Sequence, residues 1–381
     1  MKVVVSVGGG FHAFHLSREL ERQDALLRLF TSYPASHAIR RGVSKDRVTS
    51  LMLKEILQRG WGMLPSALKG FGDPRPWLHN LYDLQVARRM PQADIFVGWS
   101  SFALQSIRRA KALGMKSLVD HGSSHIEFQR DILTEEAKRT GVCLGMPHPL
   151  IVEKEIREYH EADYIVIPST YARNTFIEKG VPEEKLIQIP YGVDLEIFAP
   201  GKKNDDVFRV IYAGGMTIQK GVHYLLEAFA GMDRPNTELV LIGGKSPEIE
   251  GYFEKYAGIF KWIGSVPRQE LVREYQNGSV FVLNSIDDGF GMVMAEAMSC
   301  GLPVIATDHT GGPDLIDEEK NGFIIPIRSP GILAEKLRYL YDHRDVLDGM
   351  SNDARRRVHE GCSWYDYGNS VFASYKKIIE T

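Results

Sequence analysis

Cysteine is nearly missing from this chain: three in 381 residues, Cys143, Cys300 and Cys362, scattered and odd in number. That excludes a disulfide framework, and without a C-x-x-C pair a zinc site is not expected either. An excess of one charge is lacking too. The 46 Lys and Arg stand against 49 Asp and Glu, a net −3, so nothing global points to nucleic acid. The apolar run at the start, Val3–Val7, stops at three glycines, too short for a signal-peptide core or a bilayer span. No two aspartates stand in Asp-x-Asp spacing, and a hard divalent cation needs several oxygen ligands, so no metal is expected. What is present is an ordinary globular balance, 44% hydrophobic and 25% charged. At about 150 residues per domain the length suggests two domains. The expectation is a cytoplasmic protein with two sizeable cores.

Short runs rich in Val and Ile alternate with longer segments of helical period, the pattern of α/β units around a parallel sheet. Strands are expected at Val3–Val7, Leu26–Thr31, Asp94–Trp99, Lys116–Asp120, Tyr164–Pro168 and Leu186–Pro190. A second set is expected at Arg209–Ala213, Leu239–Ile242, Trp262–Ser265, Val280–Asn284, Val304–Thr307 and Phe323–Pro326. Several lack strict alternation, as strands covered by helices on both faces do. Between the sets, the polar, breaker-rich stretch Ala199–Asp206 marks the domain boundary. Two six-strand Rossmann-like halves follow. One region fits poorly. Residues 40–90 carry ten Lys and Arg against four Asp and Glu, with Trp61, Phe71 and Trp77 interleaved. Two readings stand side by side: a pair of ordinary surface helices, or a docking face for an anionic or lipid-linked acceptor at a membrane interface.

Four clusters could carry chemistry. Gly8-Gly9-Gly10-Phe11-His12-Ala13 follows a strand and precedes the helical run Phe14–Gln23, formally matching G-x-G-x-x-A. The acid that would hold a ribose hydroxyl at the end of the second strand is missing, since that place reads Phe30-Thr31-Ser32-Tyr33. A glycine turn that lets a substrate near the backbone fits better than NAD(P) binding. His12 could be catalytic, but with no partner visible in the sequence a loop histidine reads more readily as polar surface. Asp120-His121-Gly122-Ser123-Ser124-His125 ends a strand at the edge where open α/β sheets bind ligands. Its glycine and serines favour a loop over a metal-binding helix, so His121, and with less weight His125, is a hydrogen-bonding candidate. Gly214-Gly215, followed by Lys220-Gly221 at the start of the helix Val222–Ala230, has the makings of a phosphate cradle. A glycine turn with a solvated lysine would look the same.

The fourth cluster says most: Asp287-Asp288-Gly289-Phe290-Gly291 runs into a helix near Gly291–Ser299 that ends at Gly301 and Pro303. Gly289, Phe290 and Gly291 offer free amides at a helix N-terminus. Glu296 sits among Met292, Val293, Ala295, Ala297 and Met298, and a carboxylate in such company needs a partner, for which a pair of ligand hydroxyls serves.

These residues resemble the retaining glycosyltransferases of family 4, of the GT-B fold. That family's signature is a glutamate, Gly-Phe-Gly, a second glutamate, Ala-Met and Gly-x-Pro-Val-Ile. Here it reads Asp288-Gly289-Phe290-Gly291, Glu296-Ala297-Met298 and Gly301-Leu302-Pro303-Val304-Ile305. Pro168-Ser169, Pro190-Tyr191-Gly192-Val193-Asp194, Lys220-Gly221 and Ser363-Trp364 extend the similarity, which is strong over 165–326 and general before 160.

The resemblance implies two Rossmann-like domains with parallel sheets facing a cleft, the last helix crossing back. Residues 1–198 with 363–381 would form the acceptor side and 199–362 the donor side. Glu296 would bind the nucleotide ribose, Asp288 the donor sugar with the Phe290 and Gly291 amides, and Lys220 the diphosphate beside Gly214 and Gly215. Val266, between Ser265 and Pro267, would read the base, His121 would touch the sugar, and Gly9 and Gly10 would border the cleft. The expected reaction is retaining, metal-independent sugar transfer from a nucleotide diphosphate sugar to a glycan, lipid-linked or small-molecule hydroxyl, with no other cofactor. Peripheral contact with the inner face of the membrane would run through 40–90. The rivals are an NAD(P)-dependent oxidoreductase using Gly8–Ala13 and a non-catalytic nucleotide-sugar binding protein. Two departures stand out. Gly215 occupies the place of a usual family arginine, and Asp288 replaces a glutamate, a reach shorter by about 1.5 Å.

Overall fold

The computed structural model describes residues 1–63 and 72–380. The first sheet contains β1 (Val3–Val7), β2 (Leu26–Thr31), β3 (Val48–Ser50), β4 (Ile95–Trp99), β5 (Lys116–Asp120), β6 (Tyr164–Ile167) and β7 (Leu186–Gln188), ordered β3-β2-β1-β4-β5-β6-β7. The second contains β8 (Phe208–Ala213), β9 (Thr237–Ile242), β10 (Lys261–Gly264), β11 (Val280–Leu283), β12 (Val304–Thr307) and β13 (Gly322–Ile325), ordered β10-β9-β8-β11-β12-β13. Every strand pair is parallel. Val-rich β1 and apolar β4 are buried along their whole length, as central strands covered on both faces must be. The expectation of six strands per half is corrected for the first: β3 pairs with Leu29–Thr31 at the sheet edge. Three half-buried residues, Val-Thr-Ser, leave no periodicity to detect.

Both sheets reverse strand order beside their first strand, between β1 and β4 and between β8 and β11. Such switch points open a crevice at the strands' C-terminal ends. Two non-glycine loop residues there, Phe11 (φ 42°) and Ser101 (φ 71°), hold left-handed backbone that L-residues seldom adopt. The Ser101 amide is fixed by Glu158 at 2.7 Å. Glu158 is fully buried, and burial pushes its carboxyl up to about 8.

The chain returns to the first domain at its end. Val193 donates to the Cys362 carbonyl at 2.8 Å, and a Cβ on Gly192 would come within 2.6 Å of the Trp364 amide nitrogen. The helix Trp364–Glu380 then lies on the helix Ala13–Arg22: His15 stacks on Trp364 at 4.0 Å, and Arg22 and Gln23 donate to Asn369 at 2.9 and 3.0 Å.

The two domains also meet directly. The helix Ile126–Thr140 of the first carries Glu136, which accepts from Arg328 (2.6 Å), Tyr224 (2.8 Å) and His223 (3.2 Å) of the second. Burial opposes charge on Glu136, but hydrogen bonds from His223, Arg328 and Tyr224 outweigh it and hold the carboxyl low.

Candidate active site

The Asp287–Gly291 loop leaves β11 at the switch point and enters the helix Met292–Ser299. Asp287, fully buried, accepts from Tyr171 (2.7 Å) and Gln129 (2.8 Å) of the first domain and from Gln219 (3.0 Å) of its own. This anchored acid fixes its neighbour. Asp288 turns outward to pair with Lys220 at 2.7 Å, and its other oxygen accepts from the Phe290 amide at 3.3 Å.

The glycines around it are steric necessities. A Cβ on Gly289 would lie 2.1 Å from the Gly122 carbonyl oxygen across the cleft, and Ser169 donates to the Gly289 carbonyl. Gly291 caps the helix at φ 75°. The result is a cavity of about 280 Å³ lined by Lys220, Asp288, Phe290, Gly291 and Gly214, with Gly122 and Tyr191 contributed by the first domain.

Glu296 lies one turn beyond Met292, on the same helix face. Burial pushes its carboxyl up to about 7, against opposing pulls from Arg268 and the Tyr275 hydroxyl. Gly215 is exposed, and a Cβ there would meet only Thr217 Cγ2 at 3.6 Å, so the absent arginine is not a steric requirement. Val266 sits beyond β10 on the loop to the helix Arg268–Asn277, half-buried and outside the lining of the Lys220–Asp288 cavity.

Opposite stands the first domain. His121 borders a second cavity of about 540 Å³, which shares Gly122, Tyr191 and Met292 with the first. Its Nε2 donates to the Ser124 carbonyl at 2.9 Å, and its Nδ1 lies 2.7 Å from the Ser100 hydroxyl. Tyr159 lies 3.3 Å from the same Nδ1 and donates to Glu155 at 2.7 Å, holding the ring in place.

The expectation that His12 is polar surface is corrected. It is 7% exposed, its Nε2 meets Asp120 Oδ2 at 3.2 Å, and its ring packs on Tyr191 at 4.1 Å. A pair separated by 108 residues leaves no local sequence signal. His125 caps the helix Ile126–Thr140, accepting from the Glu127 amide, and burial lowers its pKa to about 3. Gly9 and Gly10 line a third cavity of about 470 Å³ that opens beside the second. The site therefore joins Lys220, Asp288, Phe290, Gly291 and Gly214 directly, with His121, Gly9 and Gly10 on the facing wall. Glu296, Gly215 and Val266 stand outside that cavity's lining.

Two facing, doubly wound domains with a glycine-lined cleft between their switch points define a GT-B architecture. Residues 7–197 match Glycosyltransferase Family 4 and residues 193–357 match Glycosyl transferases group 1, and the chain belongs to this glycosyltransferase family. Among curated relatives, the sulfoquinovosyl transferase of Arabidopsis thaliana is 27% identical over 221 residues, covering 54% of this chain and 43% of that one. D-inositol 3-phosphate glycosyltransferase 1 of Catenulispora acidiphila is 25% identical over 225 residues, 53% of this chain and 54% of its own. The chain's matches span 43–64% of the length of the first three curated relatives. Among solved structures, the sucrose-phosphate synthase of Thermosynechococcus elongatus superposes with TM-score 0.73 at 18% identity over 100% of both chains. HepE of Anabaena, in complex with UDP, gives 0.69 at 14% identity, over 99% of this chain and 100% of that one.

Proposed function

We propose that this chain transfers a sugar from a nucleotide diphosphate sugar to an acceptor hydroxyl, with retention of configuration and without a divalent metal. The observation that carries the reading is the Lys220–Asp288 pair, 2.7 Å apart in a cavity that also takes in the start of a helix and is closed by Gly122 of the facing domain. HepE has been solved with UDP and with UDP-glucose, which supports a donor of this class. Against an NAD(P) enzyme, the end of β2 offers Thr31, whose hydroxyl donates to the Gly9 carbonyl at 2.9 Å, where a ribose-binding acid would stand.

In this reading Lys220 and the amides near Gly214 and Gly291 stabilise the diphosphate as it leaves, a preorganised electrostatic solution. Asp288 accepts hydroxyls of the sugar, and Glu296 accepts those of the ribose. The bond from the anomeric carbon to the phosphate oxygen breaks while the acceptor oxygen bonds to that carbon on the same face. The acceptor proton passes to the leaving phosphate oxygen. Transfer is expected to persist in excess EDTA, and NMR of the product is expected to show the donor's anomeric configuration. Activity lost to EDTA and restored by Mg²⁺ or Mn²⁺ rejects the metal-free mechanism; an inverted product rejects retention.

We also propose a peripheral membrane contact through part of 40–90. Among the described residues, no helix is long and apolar enough to cross a membrane. The helix Leu53–Met63, however, leaves Ile56 60% and Met63 86% exposed, and Trp77 is 77% exposed, amid a net positive segment. Phe71 and the rest of 64–71 lie outside the described residues. Co-sedimentation with anionic vesicles is expected at low salt and is expected to fall as salt screens the basic side chains. No binding at low salt returns these helices to an ordinary surface.

A further inference from the structure

The cleft does not end at the sugar site. The cavity beside His121 shares Phe11, Arg41 and Phe102 with the third cavity, which runs under the Gly8–Gly10 turn to Lys54 and Gln58. Together they form one trough leading from the donor pocket into the first domain. Three cations line it: Arg41, Lys54, which pairs with Glu55 at 2.7 Å, and Arg268, which lies 3.9 Å from Asp194. Among the described residues the sole acid in either lining is Asp120, 1% exposed and already engaged by His12.

Lys54 is the least expected of these cations. Its side chain is 7% exposed, an unusual state for lysine, and its ammonium donates to the Gly8 carbonyl (2.9 Å) and Glu55 (2.7 Å). An ammonium has three N–H donors; besides these two bonds the Lys54 ammonium lies 5.3 Å over the Phe102 ring. Glu55 also accepts from the Ser32 hydroxyl at 2.6 Å, which fixes the Lys54–Glu55 ion pair at the cavity wall. Arg41 has no carboxylate within ion-pair distance among the described residues. It makes one bond to the His37 carbonyl at 3.3 Å and lies 5.5 Å over Phe14. The Gly10 and Phe11 amides belong to residues that line the same cavity as both cations, and they have no hydrogen-bond acceptor among the described residues.

We propose that this end of the trough is a subsite for a phosphate group on the acceptor, held by Lys54, Arg41 and the Gly10 and Phe11 amides. Resting on the transferase reading, this places the acceptor phosphate in the outer chamber and its reacting hydroxyl towards His12 and Asp288. A phosphate ester offers enough acceptor oxygens to meet two cations and two amides at once, whereas a carboxylate offers two. The phosphate belongs either to a soluble phosphorylated acceptor or to a lipid headgroup presented beside the exposed face of the helix Leu53–Met63.

The test titrates inorganic phosphate into the full chain, alone and with a saturating nucleoside diphosphate chosen from UDP, GDP, ADP and dTDP. Saturable phosphate binding is expected to survive nucleotide saturation, because the diphosphate site is separate. Arg41→Gln and Lys54→Gln are each expected to weaken it about 10-fold or more, as loss of a charge-assisted bond does, with nucleotide affinity within about twofold of the parent. Lys54→Gln removes a buried charge and can fail to fold, in which case the exposed Arg41→Gln decides. Absence of phosphate binding in the parent, unchanged binding in Arg41→Gln, or complete displacement by nucleotide overturns the subsite. If no nucleotide binds, the transferase reading fails, and the nucleotide-free titration still decides this one. Displacement of phosphate by sn-glycerol 3-phosphate supports the subsite with a soluble source, and displacement only by phosphatidylglycerol vesicles supports it with a lipid source.

Discussion

Asp288→Asn is expected to lower kcat by about 100-fold while leaving affinity for the bare nucleoside diphosphate within about twofold. The asymmetry follows from where the carboxylate stands. It faces the cavity, paired with Lys220 at 2.7 Å, while its anchoring is done by the neighbouring Asp287. Removing its charge leaves the loop in place and frees Lys220 for the diphosphate, so nucleotide binding is not weakened. What is lost is an acceptor for sugar hydroxyls where positive charge grows as the leaving group departs, a cost specific to the transition state. Steady-state rates with a nucleotide sugar and a direct titration with the nucleoside diphosphate separate the two. Equal loss in both would mean that Asp288 serves the nucleotide and not the sugar.

The contrast between the two aspartates shows what a sequence can and cannot display. Asp288-Gly289-Phe290-Gly291 and Glu296 are close in the chain, and their helix announces itself through Gly291 and an apolar run, so their placement could be read directly. Gly289 is required for a reason no local pattern carries, namely the Gly122 carbonyl arriving from 167 positions upstream in the other domain. Asp287 carries no role a local pattern shows, since its partners Tyr171 and Gln129 reach it from the first domain. The buried strands were legible because continuous Val and Ile runs suit strands covered on both faces. β3 was not, being three residues at an edge. The His12–Asp120 pair and the Arg41–Lys54 trough were hidden for a common reason. Each joins residues at or beyond the C-terminal ends of different strands, and only the sheet order β3-β2-β1-β4-β5 brings those ends to one edge.

Nucleoside binding is expected to tighten about 10-fold between pH 6 and pH 8, and Glu296→Gln is expected to abolish that dependence. Burial pushes the Glu296 carboxyl up to about 7, so the free protein holds it protonated at pH 6 and ionised at pH 8. Two ribose hydroxyls are donors, and the carboxylate accepts both, whereas the acid must spend one oxygen as a donor. Ligand binding therefore draws the ionised form and releases a proton below pH 7. A nucleoside is the right probe because a terminal phosphate itself titrates near pH 6 and would add its own slope. The stability of the free protein runs the other way. With the folded pKa above the unfolded value of 4.5, the stabilisation from the protonated form is fully present below pH 4.5. It is lost as pH rises through about 7. The thermal shift produced by saturating nucleoside is therefore expected to grow with pH, and calorimetry in buffers of different ionisation heat is expected to register the released proton at pH 6. At pH 8, Glu296→Gln should bind about 10-fold or more weakly than the parent, the worth of a charge-assisted hydrogen bond. A parent whose nucleoside affinity is flat from pH 6 to pH 8, or a Gln variant that keeps the slope, would take Glu296 out of the ribose site. In that case Arg268, which faces the same carboxyl from the rim of the cleft, would be its partner for structural reasons alone.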